Sequence, residues 1–129
     1  MTSNKRKIAV LGASIAMAAT GVLAGAGNAS ASTVGKGHVK VCAQGNYVTR
    51  ATFWQRGEFS TTLIPPGKCW SAYMGGSGTE YITVYGKFNT SDKMFYIQTV
   101  PYNGSVDGVG IGARGTTANA GAGAYVVTW

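Results

Sequence analysis

The fold is decided by residues 79–102, which read TEYITVYGKFNTSDKMFYIQTVPY. Two runs rich in β-branched and aromatic side chains flank residues 89–92, Asn-Thr-Ser-Asp, which are common in turns. This arrangement is typical of an antiparallel β-hairpin. With residues 89–92 as the loop, Phe88 faces Lys93 in the pair next to the loop.

The hairpin register predicts which side chains share a face. Side chains alternate along a strand, so the register also decides which residues enter the core. Three cross-strand pairs are expected: Tyr85–Tyr96, Thr83–Gln98 and Tyr81–Val100. The apolar face, which we expect in the core, contains Ile82, Val84, Phe88, Phe95 and Ile97.

The opposite face of the hairpin is amphipathic and is a candidate ligand face. Tyrosine rings can stack on sugar rings or hold a peptide, and polar neighbours can orient a ligand. The alternative is an ordinary exposed sheet surface stiffened by cross-strand tyrosines. The candidate residues are Tyr81, Thr83, Tyr85, Lys87, Tyr96 and Gln98.

The rest of the chain after residue 31 also predicts strands. Apolar residues do not recur there at helical spacing, and short β-favouring runs alternate with Gly, Pro and Asn turn signals. The expected strands are 38–42, 46–54, 58–64, 68–74, 79–88, 93–102, 105–113 and 124–129. This pattern predicts an all-β fold, a small antiparallel β-sandwich of immunoglobulin-like size, with a small barrel as the alternative.

Two sequence features remain ambiguous within this fold. Trp54 and Trp70 are expected to anchor the core, whereas a Trp54 exposed on a hairpin tip would be a ligand contact. Gly108, Gly110 and Gly112 fall on one face of a strand. A face without side chains predicts either a large neighbour such as a tryptophan packed against it, or a bulged edge.

The first thirty-one residues are typical of a secretory signal peptide. Lys5, Arg6 and Lys7 precede an uncharged apolar stretch that ends in Ala-Ser-Ala at positions 29–31. Glycines dilute that stretch, which favours cleavage after Ala31 over retention as a membrane anchor. We therefore expect a single domain over residues 32–129, secreted and either extracellular or cell-wall associated, with no membrane contact after cleavage.

The chain has two cysteines, Cys42 and Cys69, and both follow the predicted cleavage site. In an oxidising compartment they predict one disulfide. The loop that it closes spans residues 42–69, for which chain entropy gives about 3.6 kcal/mol of stabilisation.

The composition disfavours an enzyme. The whole chain carries 11 Lys and Arg against 4 Asp and Glu, with a single histidine, His38. Metal centres and acid–base sites draw on carboxylates and imidazoles, so we expect no catalytic residue, no metal and no cofactor. Residues 32–129 retain eight of the basic side chains and all four acidic ones. The basic residues are scattered singly, which argues against nucleic-acid binding.

Several motifs resemble a group of small secreted actinomycete proteins with one disulfide and no assigned activity. They are an Ala- and Gly-rich leader, Val-Cys-Ala-Gln-Gly-Asn-Tyr at 41–47, Arg-Gly at 56–57 and Pro-Gly-Lys-Cys at 66–69. The resemblance spans most of residues 39–129. It implies secretion and a β-fold, and it transfers no functional site.

These features predict a secreted, non-enzymatic binding or cell-surface-associated protein. Its partner would be a cell-wall polymer, a polysaccharide or an extracellular protein. The alternative is a small secreted protease inhibitor, because a proline-stiffened loop tied by a disulfide is the preorganised shape that an inhibitor needs. That loop would consist of Leu63, Ile64, Pro65, Pro66, Gly67 and Lys68.

Overall fold

The computed structural model describes residues 32–129. The predicted signal peptide, residues 1–31, lies outside the described residues. Within residues 32–129 the regular structure consists of strands alone, which confirms the all-β prediction. The strands are β1 (His38–Ala43), β2 (Val48–Phe53), β3 (Phe59–Ser60), β4 (Cys69–Tyr73), β5 (Glu80–Lys87), β6 (Met94–Tyr102), β7 (Val109–Gly115) and β8 (Ala124–Thr128).

The strands form two four-stranded sheets packed as a small β-sandwich. Sheet A has the order β4-β1-β7-β8, and sheet B has the order β3-β2-β5-β6. All neighbouring strands are antiparallel except β1 and β7, which run parallel. The chain therefore crosses between sheets after β1, β3, β4 and β6.

The core lies between the two sheets and contains the expected hairpin residues Ile82 and Val84, both fully buried. Phe95 is also buried, while Phe88 and Ile97 pack at the margin of the core. Tyr47 crosses from sheet B to sheet A: its ring is fully buried and its hydroxyl donates to the Arg114 carbonyl oxygen at 2.7 Å. Burial raises the pKa of Tyr47 to about 12.

The hairpin register is correct next to the loop and wrong beyond Tyr85. Tyr85 pairs with Tyr96 as predicted, but a β-bulge then shifts the register by one residue. Thr83 consequently pairs with Thr99 instead of Gln98, and Tyr81 pairs with Pro101. A bulge places an extra residue on one strand, which a simple two-residue repeat does not anticipate.

Two predicted strands differ from the structure by four residues at one end. The 58–64 strand is reduced to β3, because the Ala51 N–H donates to the Thr61 hydroxyl instead of a backbone carbonyl and only the isolated bridge between Ile64 and Thr49 continues the pairing. The 105–113 strand begins at Val109, because Asn103 accepts backbone hydrogen bonds that close a turn.

The disulfide and the glycine-rich strand follow the sequence predictions. Cys42 and Cys69 are bonded, and they are directly opposite each other on β1 and β4. The disulfide therefore joins adjacent strands of sheet A. Trp129 packs over Gly110, where a Cβ would overlap its indole. The bare face of β7 thus accommodates a tryptophan, one of the two outcomes expected.

Candidate functional site

The candidate site is the solvent-facing side of sheet B, hereafter the outer face. Registers between strands arrange its side chains in rows across the sheet. One row is aromatic and cationic, the next carries hydroxyls, and the third, at the Trp54 end, is aromatic. The rows are Arg50, Tyr85 and Tyr96; Ser60, Thr52, Thr83 and Thr99; and Tyr81 and Pro101, next to which Trp54 follows the end of β2.

The hydroxyl row runs across all four strands of sheet B. Thr52 and Ser60 share a hydrogen bond of 2.8 Å between their hydroxyls, and Thr83 and Thr99 share one of 3.1 Å. Thr52 and Thr83 are buried beneath the larger side chains of the adjacent rows. The Thr83 hydroxyl therefore anchors Trp54 from an adjacent row, whereas the Thr52 hydroxyl bonds only within its own row.

Trp54 is the best-anchored aromatic residue of the outer face. Its indole Nε1 donates to the Thr83 hydroxyl at 2.7 Å, yet 41% of the residue remains exposed. This exposure makes the core prediction for Trp54 wrong and matches the alternative of a tryptophan open to ligands. The anchored ring loses little conformational freedom when a ligand stacks on it. Trp70 is half-buried and packs against Phe53, with ring centroids 6.0 Å apart, which accords with its predicted core role.

The opposite aromatic row is also held in place by side-chain contacts. The Tyr85 and Tyr96 rings meet edge to face at 6.5 Å, and the Arg50 guanidinium lies over the Tyr85 ring at 5.7 Å. Tyr96 donates its hydroxyl to Thr99 at 3.3 Å and is 60% exposed. A chain of hydrogen bonds therefore links Tyr96 to Trp54 through two threonines.

The structure brings most of the predicted ligand-face residues together and separates one. Tyr81, Thr83, Tyr85 and Tyr96 share the outer face, with Thr83 buried as its anchor. Lys87 also lies on this face, but its ammonium group donates to the carbonyl oxygens of Phe88 and Ser91 in the hairpin loop. Gln98 is exposed, but the bulge pairs it with the buried Val84, so Thr99 and not Gln98 lies opposite Thr83.

Sequence reasoning missed three contributors to the outer face for different reasons. Thr99 lies opposite Thr83 only because the bulge shifts the register of β6, and the sequence does not signal the bulge. Arg50 belongs to β2, whose position beside β5 was not deduced from the sequence. The Trp54 indole could have been placed beside Thr83 only after that same strand pairing was known.

A polar groove adjoins the Trp54 end of the outer face. It has a volume of about 360 Å³ and is lined by Gln55, Arg56, Gly76, Ser77, Gly78, Thr79 and Glu80. Gln55 connects the groove to the face, because its side-chain oxygen accepts a hydrogen bond from the Tyr81 backbone N–H at 2.9 Å.

An ion pair between Arg56 and Glu80 forms one wall of this groove. The guanidinium contacts both carboxylate oxygens, with the shortest distance 2.7 Å, and donates to the carbonyl oxygens of Met74 and Gly75. The hydrogen bond to Glu80 is the main reason that the pKa of Arg56 is raised. Tyr102 adds a hydrogen bond to Gly75, so Arg56, Glu80 and Tyr102 together clamp the loop between β4 and β5.

The candidate inhibitor loop forms a tight turn anchored at both ends. Ile64 is buried and exchanges two backbone hydrogen bonds with Thr49, at 2.8 and 3.0 Å. Gly67 adopts a positive φ of 84°, and the Lys68 N–H donates to the Pro65 carbonyl oxygen at 3.0 Å, which closes a β-turn. Leu63, Pro65 and Pro66 are exposed, whereas Ile64 is buried. These contacts favour a structural turn over an extended reactive loop.

Neither a metal cluster nor a membrane-spanning helix occurs within residues 32–129. No three His, Cys, Asp or Glu side chains of this region lie close enough to hold a metal ion. The same region has no helix long and apolar enough to cross a bilayer. No family model, curated protein or solved structure matches the chain.

Proposed function

We propose that this chain is a secreted, non-enzymatic protein that binds polysaccharide through the outer face of sheet B. The observation that carries the proposal is Trp54, a partly exposed indole whose orientation is set by its hydrogen bond to Thr83. Sugar rings present C–H faces that stack on aromatic rings and hydroxyls that hydrogen-bond to polar groups. Tyr81 and Tyr96 supply further exposed rings and hydroxyl groups.

The spacing of the aromatic residues supports a polymeric ligand. Trp54 directly follows β2 and Tyr96 is on β6, and β5 is the strand between β2 and β6. The hydrogen-bond chain through Thr83 and Thr99, with links of 2.7, 3.1 and 3.3 Å, keeps the Trp54 Nε1 and the Tyr96 hydroxyl within about 9 Å of each other. This distance corresponds to roughly two sugar units of an extended polysaccharide. The polar groove beside Trp54 lengthens the available surface.

The test is binding of residues 32–129 to insoluble cellulose, chitin and purified peptidoglycan in separate sedimentation assays. We expect retention on at least one polymer and competition by its soluble oligosaccharide. Trp54→Ala and Tyr96→Ser should each weaken binding about tenfold or more, as expected when an aromatic contact worth about 1.4 kcal/mol or more is lost.

Tyr125→Ser is the matched control, because Tyr125 is 52% exposed but belongs to sheet A. It should bind as the unsubstituted protein does. Equal losses in Tyr125→Ser and Tyr96→Ser would contradict a site on the outer face. Absence of binding to all three polymers and to their oligosaccharides would contradict the choice of ligand class.

A further inference from the structure

The segment before β1 is attached to two distant parts of sheet A through its first described residue, Ser32. The Ser32 backbone N–H donates to the Asp107 carboxylate at 2.8 Å. Its hydroxyl donates to the carbonyl oxygen of Trp129 at 2.7 Å and accepts a hydrogen bond from the Val34 N–H at 3.0 Å. One serine therefore contacts the loop before β7 and the residue that follows β8.

Asp107 is already oriented for this contact by its own backbone surroundings. One carboxylate oxygen accepts the Gly108 N–H at 2.9 Å, which leaves the other directed at Ser32. The Asp107 carbonyl oxygen accepts the Gly37 N–H at 3.1 Å, so the loop and the segment are also joined through their backbones. The Ser32 and Gly108 hydrogen bonds lower the pKa of Asp107, so the group is a stable anion at neutral pH.

Ser32 is also the residue that cleavage after Ala31 would make the first of the processed chain. Hydrolysis by an export-associated peptidase consumes one water: the hydroxyl joins the Ala31 carbonyl carbon, and the Ser32 nitrogen gains a hydrogen. The resulting amine takes a further proton and becomes an ammonium group at neutral pH. The Ser32 nitrogen that becomes this ammonium group lies 2.8 Å from the Asp107 carboxylate.

We propose that the Asp107 carboxylate and the Trp129 carbonyl oxygen form a binding site for the processed first residue, with Asp107 receiving the α-ammonium group of Ser32. Processing thereby converts a neutral hydrogen bond into a charge-assisted one, which is shorter and stronger. Capture of an amino terminus by oriented backbone and carboxylate groups is a known recognition mode. The inference is independent of the polysaccharide proposal.

The ion pair contributes to the stability of the folded protein only over a defined range of pH. An α-ammonium stabilised by folding contributes below its ordinary pKa, and the contribution is lost as pH rises through its raised pKa. Asp107 contributes above the ordinary carboxyl pKa, and that contribution is lost as pH falls through its lowered pKa. The other titratable side chains on the segment and on the start of β1 are Lys36, His38 and Lys40. From the β8 side, the Trp129 oxygen that accepts the Ser32 hydroxyl belongs to the α-carboxylate in the protein of residues 32–129, so a second negative group faces Ser32.

The experiment compares residues 32–129 with a free amino terminus, the same protein acetylated on the Ser32 nitrogen, and Asp107→Asn in both forms. Acetylation retains one N–H donor and removes the charge. NMR titration of the free amine should give a pKa raised above the ordinary α-amino value. Asp107→Asn should lower it towards that value.

Thermal unfolding at pH 6 provides a second measurement that does not depend on one variant. Acetylation should lower the Tm of the unsubstituted protein and leave the Tm of Asp107→Asn nearly unchanged. If Asp107→Asn fails to fold, two measurements on the unsubstituted protein still test the inference: the titration of its free amine and the effect of acetylation on its Tm. An ordinary amine pKa, an equal effect of acetylation in both backgrounds, or an intact mass showing a different first residue would overturn the inference.

Discussion

Arg56→Ala should destabilise the domain far more than removal of an ordinary surface arginine. Arg56 bonds to Glu80 and to two backbone carbonyl oxygens, and the side-chain exposures of the pair are 28% for Arg56 and 8% for Glu80. Substitution leaves the carboxylate and both carbonyl groups without this donor. Complete loss of a buried partner costs about 3–5 kcal/mol, and the partial exposure of Arg56 reduces our expectation to about 2–3 kcal/mol.

This loss of unfolding free energy predicts a change in melting temperature. An unfolding entropy of about 2.1 cal/mol/K per residue gives about 0.2 kcal/mol/K for residues 32–129, so Tm should fall by roughly 10–15 °C. Circular dichroism melts at neutral pH would measure this. Arg114→Ala is the matched control, because Arg114 is exposed and its side chain donates to Gln44; it should change the free energy of unfolding by less than about 0.5 kcal/mol.

Glu80→Gln and the double variant test whether the pair itself is responsible. In a double-mutant cycle the two substitutions should be clearly non-additive, because each removes the same contact. A decrease in Tm for Arg56→Ala no larger than that for Arg114→Ala would refute the argument. Additive effects of the two substitutions would refute the role of the ion pair specifically.

Three further predictions concern the disulfide, the glycine strand and the buried tyrosine. Reduction of the bond between Cys42 and Cys69 should lower stability by about 3.6 kcal/mol, seen as a decrease in Tm of more than about ten degrees; two thiols that react in the native protein would contradict it. Gly110→Ala should cost about 1–3 kcal/mol in chemical denaturation because its Cβ would overlap the indole packed there, whereas Gly78→Ala, with open space around it, should cost much less. Tyr47 has a folded pKa of about 12 against an ordinary value of 10.0, so its contribution to stability is present below pH 10 and lost as pH rises towards 12; Tyr47→Phe should weaken the stability loss over this range in pH-dependent melts.

The sequence was most informative where local turn chemistry and side-chain pattern agreed. The loop at 89–92 and the pair Tyr85–Tyr96 were predictable because turn-forming residues separate two β-favouring runs. The disulfide was predictable from two cysteines that both follow a predicted secretory leader. The packing of a tryptophan on the glycine face of β7 was one of two stated outcomes, and Trp129 packs over Gly110 there.

The remaining features depend on contacts between residues far apart in the chain. Trp54 was expected in the core because tryptophans usually are, but its alternation with the buried Phe53 directs it to the solvent side of β2. Its partner Thr83 is brought alongside only by the β2–β5 pairing. The clamp that includes Arg56 and Glu80 similarly requires two loops to meet, which no local pattern signals.

The edges of sheet B explain why we place a ligand on its face and not along its margin. A peptide that adds a strand needs a regular edge with free backbone donors and acceptors. One edge, β3, is two residues long. The other, β6, carries the bulge and Pro101, which has no N–H to donate. Both edges are therefore poor templates for an added strand, whereas the outer face offers anchored rings. This contrast favours a polysaccharide stacked on Trp54 and Tyr96 over an extended peptide paired with the sheet.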